Sequence, residues 1–142
     1  MSILLKHLKS VISGIGWPAL PTPNSQARIS PTIKPRGTIE VQVRTLPWIV
    51  KEYGLTNPDI LFADIHGAEY AVLNSLTKPM LKKLKVIFCE CCSVEFHKGG
   101  RTLEDIKPLL AETHDFISWD CPDGAWTKMG DALWLRKGWG SR

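Results

Sequence analysis

The sequence predicts an α/β fold with a mostly parallel sheet that closes on a C-terminal antiparallel hairpin. Three observations carry the prediction. Two short apolar runs, Ile60 to Ile65 and Val86 to Cys91, read as strands buried on both faces. Helix-period segments lie between and after them, which is the alternation of a parallel sheet. The last third holds two strand-like runs on either side of the turn-forming Cys121-Pro122-Asp123-Gly124.

Taken in order, residues 3 to 15 place Leu4, Leu8, Val11, Ile12 and Ile15 at helical spacing, with Lys6, Lys9, Ser10 and Ser13 elsewhere on the wheel. This is an amphipathic helix that Gly14 and Gly16 end. Prolines 18, 21, 23, 31 and 35 then make an extended arm. The expected division is therefore residues 1–37 as helix and basic, proline-rich arm, and residues 38–142 as the folded domain.

Thr38 to Arg44 alternates β-branched and polar residues, as a half-exposed strand does. The next segment has Thr45 as N-cap, Pro47 in the first turn, the apolar set Trp48, Ile49, Val50 and Tyr53, and Gly54 as terminator, so a helix is expected there. After the strand at Ile60 to Ile65, the turn His66-Gly67-Ala68 leads into a helix through Glu69, Tyr70, Val72, Leu73 and Leu76. Beyond the second strand, Thr102 and Asp105 form a capping box for a helix that turns Leu103, Ile106, Leu109 and Leu110 inward and that Pro108 should kink. Asp115 to Trp119 and Asp131 to Arg136 are the strands of the final hairpin.

Composition narrows the function classes. With 142 residues, 44% hydrophobic and 23% charged, the chain can bury one ordinary core, which excludes disordered and fibrous classes. No run approaches the roughly 20 apolar residues of a membrane span, and Lys6 and Lys9 interrupt any signal-peptide core. The net charge of +4 is concentrated: residues 1 to 39 carry five bases and no acid, which leaves the remainder near neutral. Five charges spread so thinly, without interleaved aromatics, argue against a nucleic-acid partner. Cys89, Cys91, Cys92 and Cys121, without a secretion signal, read as reduced thiols in a cytoplasmic protein.

Chemistry in an open α/β sheet gathers at the carboxyl ends of its strands. That rule selects Asp64-Ile65-His66-Gly67-Ala68-Glu69 and, at the next strand, Glu90. Two carboxylates at adjacent strand ends can hold a hard cation, orient a substrate hydroxyl or act as a general base. Their structural alternatives are a helix cap for Asp64, a first-turn acid for Glu69 and an internal ion pair for Glu90. Cys89 and Cys92 have C-x-x-C spacing, but residues three apart on a strand face opposite sides and no second pair exists, so no metal site is assigned.

The stretch from Gly37 to Ser75, with its V-x-V-x-T-L start and D-x-x-G-A-E signature, resembles FkbM-type methyltransferases, whose pattern reads V-x-V-x-T-L-D and K-I-D-V-E-G-A-E. Glu90 and the closing strand Asp131 to Lys137 fit the same family. The resemblance implies a partial Rossmann-like fold, S-adenosylmethionine as methyl donor, and O-methyl transfer to a small-molecule or sugar acceptor. Carried over by position, it implies Asp64, Glu69 and Glu90 as catalytic residues and Asp64 and Gly67 as cofactor-binding ones, with His66, in place of the family's glutamate, as a further candidate base. Pro47 replaces the aspartate of T-L-D, Ala63 precedes Asp64 where the family has isoleucine, and His66 replaces the first glutamate of the signature. The glycine-rich D-x-G-A-N-x-G loop of the family has no counterpart, Gly14-Ile15-Gly16 being a bare G-x-G with no strand before it. With roughly 105 residues left after the arm, and each strand-helix-strand unit needing about 30, the chain corresponds to the C-terminal half of the family domain. The alternative is a truncated, non-catalytic relative that serves as an interaction module or half of a split enzyme, joining a second copy or a partner chain at its exposed sheet edge.

Overall fold

The computed structural model describes residues 42–95, 100–121 and 128–140. The expected amphipathic helix, the arm and most of the first strand therefore lie outside the described residues, as does most of the hairpin turn. Gln42 to Arg44, the described end of that strand, carry no regular structure.

Helix α1 (Leu46–Glu52) begins where Thr45 Oγ1 accepts the Trp48 amide, with Pro47 in the first turn, where a missing N–H costs nothing. It ends as the sequence dictates. Gly54 takes φ +62°, its amide reaches the Lys51 carbonyl and the Leu55 amide reaches Val50, which satisfies carbonyls the helix leaves open. The buried side chains are Leu46 and Ile49, whereas Trp48 and Tyr53 of the expected apolar set are exposed.

Strand β1 (Ile60–Ala63) follows, then helix α2 (Glu69–Ser75), the single turn α3 (Lys78–Leu81) and strand β2 (Val86–Cys92). Helix α4 (Leu103–Leu110) is opened by its capping box, in which Asp105 Oδ2 accepts the Thr102 amide at 2.8 Å. The chain closes with the hairpin strands β3 (His114–Asp120) and β4 (Met129–Arg136).

The sheet order is β1-β2-β4-β3. β1 pairs parallel with β2, but β4 runs antiparallel to both β2 and β3. The expectation of a mostly parallel sheet is thus corrected: the sheet is mixed. The hairpin does form, but its second strand inserts between β2 and β3 instead of lying outside them, and so it makes two antiparallel seams.

All helices contribute to one core on one face of this sheet. Leu61 and Ala63 of β1, Ile87, Cys89 and Cys91 of β2 and Ala132 and Trp134 of β4 pack with Leu46, Leu73, Ile106 and Leu110. Side chains alternate across a strand, so the opposite face carries Ile60, Phe62, Phe88 and Leu133. Phe62 stacks on Phe88 with ring centroids 5.1 Å apart, yet Ile60 is 62% and Phe62 44% exposed. This corrects a second expectation, that the run at Ile60 is buried on both faces: β1 buries only alternate residues.

Three cysteines of β2 are buried and all four in the chain are free. Burial pushes the Cys92 thiol up to about 12, and the neighbouring Cys91 thiol and burial push Cys89 up as well, so both behave as inert core thiols. Among the described residues no helix is long and apolar enough to cross a membrane.

Candidate functional site at the carboxyl ends of two parallel strands

The parallel register pairs Ala63, the last residue of β1, with Cys89, three residues before β2 ends, which brings Asp64 level with Glu90. Asp64 follows the last residue of β1, and Glu90 follows Cys89 on the side of β2 away from the core. The two carboxylates therefore meet over the same end of the sheet.

Between them stands His66, the residue that fills the position of a glutamate in the resembled signature. It sits in the turn at φ +53°, followed by Gly67 at φ +101°. Two consecutive positive φ values reverse the chain so sharply that the imidazole folds back over the strand ends. Its Nδ1 lies 3.2 Å from Glu90 Oε2 and 4.0 Å from Asp64 Oδ1, and the ring is 72% exposed. The three ligand-type atoms of Asp64, His66 and Glu90 lie within 4.8 Å of one another.

Glu69 holds this turn in place. Its side chain is buried, only 4% of the residue being exposed, and Oε1 accepts the Ile65 amide at 2.9 Å while Oε2 accepts the Gly67 amide at 2.8 Å. A carboxylate that clasps the amides on both sides of His66 fixes where the imidazole points. Burial raises the Glu69 pKa, and the backbone hydrogen bonds oppose that rise.

Glu90 is pushed up by burial, with the charges of Asp64 and Asp131 acting in the same direction and His66 opposing them. Its Oε2 is shielded from water and has no aligned hydrogen-bond donor. The approach of His66 becomes a charged pair once the ring takes a proton.

The expected site residues thus fall into two groups. Asp64, His66 and Glu90 share one cluster, with His66 exposed and the two carboxylates partly buried. Glu69 points instead into the turn, and the Gly67 amide is already occupied by it. The sequence reading missed the clasp, although a glutamate two residues after a glycine in a strand-to-helix turn is a legible signal for it.

A small apolar hollow lies at the other end of β1, lined by Leu46, Val50, Pro58, Ile60, Leu76 and Met80 among others. Its lining is apolar and offers no partner for a charged or hydroxylated ligand.

No curated protein and no solved structure gives a match to the chain. The model of the methyltransferase FkbM domain matches residues 10–120, well over half of the sequence, and includes α1, β1, α2, β2, α4 and the whole of β3. With the signature turn in place between two parallel strands and the match running on through the following elements, the chain belongs to the FkbM methyltransferase domain family.

Proposed function

We propose that the chain is an S-adenosylmethionine-dependent O-methyltransferase domain of Rossmann-like type, acting on a hydroxyl of a small molecule or sugar. The observation that supports this reading best is the meeting of Asp64, His66 and Glu90 at adjacent strand ends. When bound, S-adenosylmethionine supplies a methyl group on a positively charged sulfur, which leaves as a neutral thioether when the acceptor oxygen forms the new bond.

The chain's own residues do the rest. The exposed imidazole of His66 takes the proton of the acceptor hydroxyl, the general-base role that a positioned imidazole can fill. Glu90, 3.2 Å from Nδ1, stabilises the imidazolium so formed. Asp64 is the fitting partner for a cofactor hydroxyl or ammonium, being a carboxylate at the end of β1. Gly67 offers the cofactor only close backbone approach, since Glu69 occupies its amide. Glu69 works as a positioning residue through the turn.

The test is transfer of labelled methyl from S-adenosylmethionine to a panel of polyols and hydroxylated small molecules. His66→Asn, which tolerates the same backbone conformation, should lower kcat by about 100-fold, in the range of a lost general base. Undiminished turnover in that variant would remove His66 from the reaction.

A second reading rests on a separate observation. Among the described residues β1 pairs with β2 alone, and its outward residues Ile60 and Phe62 are exposed. An apolar edge of this kind favours pairing with another chain, either a second copy or a polypeptide carrying the glycine-loop half of the domain. Sedimentation equilibrium separates the readings: a clean monomer at high concentration counts against self-pairing at this edge.

A further inference from the structure

We infer that Asp64, His66 and Glu90 form a binding site for a divalent first-row transition ion. Their donor atoms come from two strand ends and a clasped turn, so one imidazole nitrogen and two carboxylate oxygens face a common point. Two ligands about 2.1 Å from a shared cation stand roughly 3.0 to 3.4 Å apart when they are neighbours in octahedral or tetrahedral coordination. The 3.2 Å between Nδ1 and Glu90 Oε2 already has that spacing. Asp64 Oδ1, at 4.0 Å from Nδ1, needs to close by under about an ångström. A side-chain rotation of that half-exposed residue covers this distance.

A second observation points to a missing positive partner. Glu90 Oε2 is an oxygen shielded from water without an aligned hydrogen-bond donor, and it faces the cluster. A buried carboxylate oxygen in that state is costly, and a coordinated cation satisfies it. Asp64 and Asp131 add negative charge around the same point. The only nearby base that approaches Glu90 within ion-pair distance among the described residues is His66, which is charged only when protonated.

The donor set also selects the ion. Mg²⁺ and Ca²⁺ prefer all-oxygen shells, whereas an imidazole nitrogen beside two carboxylates suits Mn²⁺ or Zn²⁺. Three protein ligands on one side leave positions open toward solvent, where an acceptor hydroxyl can bind. The ion and a proton exclude each other at Nδ1. In the ion-loaded site His66 is therefore a ligand, and the ion itself lowers the pKa of a bound hydroxyl. The inference concerns binding of the ion and holds independently of whether methyl transfer is the reaction.

Mn²⁺ is the probe of choice because thiols bind it poorly, which keeps the four cysteines out of the measurement. Titration of the full chain, followed by the electron paramagnetic resonance of free Mn²⁺, should give one ion per chain. Glu90→Gln and His66→Gly should each weaken it by at least about tenfold, while Glu112→Gln, remote from the cluster, should not. Because a variant can fail to fold, wild-type NMR supplies a second readout: Mn²⁺ should broaden the His66 ring signals well before those of buried His114. Absence of binding at millimolar Mn²⁺, unchanged affinity in Glu90→Gln and His66→Gly, or broadening of His114 ahead of His66 would each overturn the assignment.

Discussion

His66 Nδ1 stands 3.2 Å from Glu90 Oε2, although the two residues belong to different elements and neither is adjacent to the other in sequence. Three features create that contact: the parallel register of β1 with β2, the left-handed turn at His66-Gly67, and the Glu69 clasp that holds the turn. Removing any one of them should disperse the cluster, and each removal has a distinct signature.

Glu69→Gln replaces two carboxylate oxygens that accept amides with one acceptor and one donor. The NH₂ group then faces a backbone N–H. Urea denaturation should show a loss of about 2 kcal/mol or more, the cost of leaving a buried donor unsatisfied. Amide exchange at Ile65 and Gly67 should quicken more than in the rest of the sheet.

At His66 the backbone itself is the object of the test. At φ +53° a side chain such as alanine carries a cost of about 1 to 2 kcal/mol that glycine escapes, histidine and asparagine being among the residues that take this conformation more readily. His66→Gly should therefore be more stable than His66→Ala by about 1 kcal/mol, as read from thermal midpoints, while both lose the function of the cluster. Equal midpoints would mean that the turn is not strained.

Much of this was legible in the sequence. Thr45, Pro47 and Gly54 bracket a helix by capping chemistry that needs no tertiary context, and Thr102 with Asp105 does the same for α4. That Asp64, His66 and Glu90 lie close together at one end of the sheet follows from the order of strands and helices along the chain. What escaped depends on long-range pairing. Ile60 and Phe62 look like core in the chain but are exposed on β1, which among the described residues pairs with β2 alone, and nothing local announces that β4 inserts beside β2. The role of Glu69 escaped because a first-turn acid and a turn clasp occupy the same position, and only the direction of the side chain separates them.

His114 gives the fold a pH dependence. Its Nε2 lies 3.1 Å from the Leu84 carbonyl and its Nδ1 2.8 Å from Thr113 Oγ1, and burial holds its pKa below the ordinary 6.5. Arg136 pushes the same way, while the Leu84 hydrogen bond and Asp115 oppose it. As pH falls below about 6.5 the unfolded chain takes up the proton first, so stability present above that value is lost as pH falls through the lower, folded value. The thermal midpoint should drop between pH 7 and pH 5. In His114→Phe that part of the drop should disappear.

Gly130 is required by close approach. A Cβ there would run into the backbone of Asp120 and Cys121 where β3 leaves the sheet. Gly130→Ala should cost about 1 to 3 kcal/mol, the usual cost of overpacking, and should show as lost protection of the β3–β4 amides by hydrogen exchange. A variant as stable as the wild type would mean that the hairpin end can shift freely.

The central claim is that the strand-end cluster belongs to a methyltransferase site, and isothermal calorimetry of S-adenosylmethionine against the full chain tests it most directly. The account predicts a saturable, one-to-one binding heat that Asp64→Asn abolishes or sharply weakens while the fold, followed by circular dichroism, is retained. No binding heat from the folded wild-type chain, or binding of equal strength in Asp64→Asn, would contradict it.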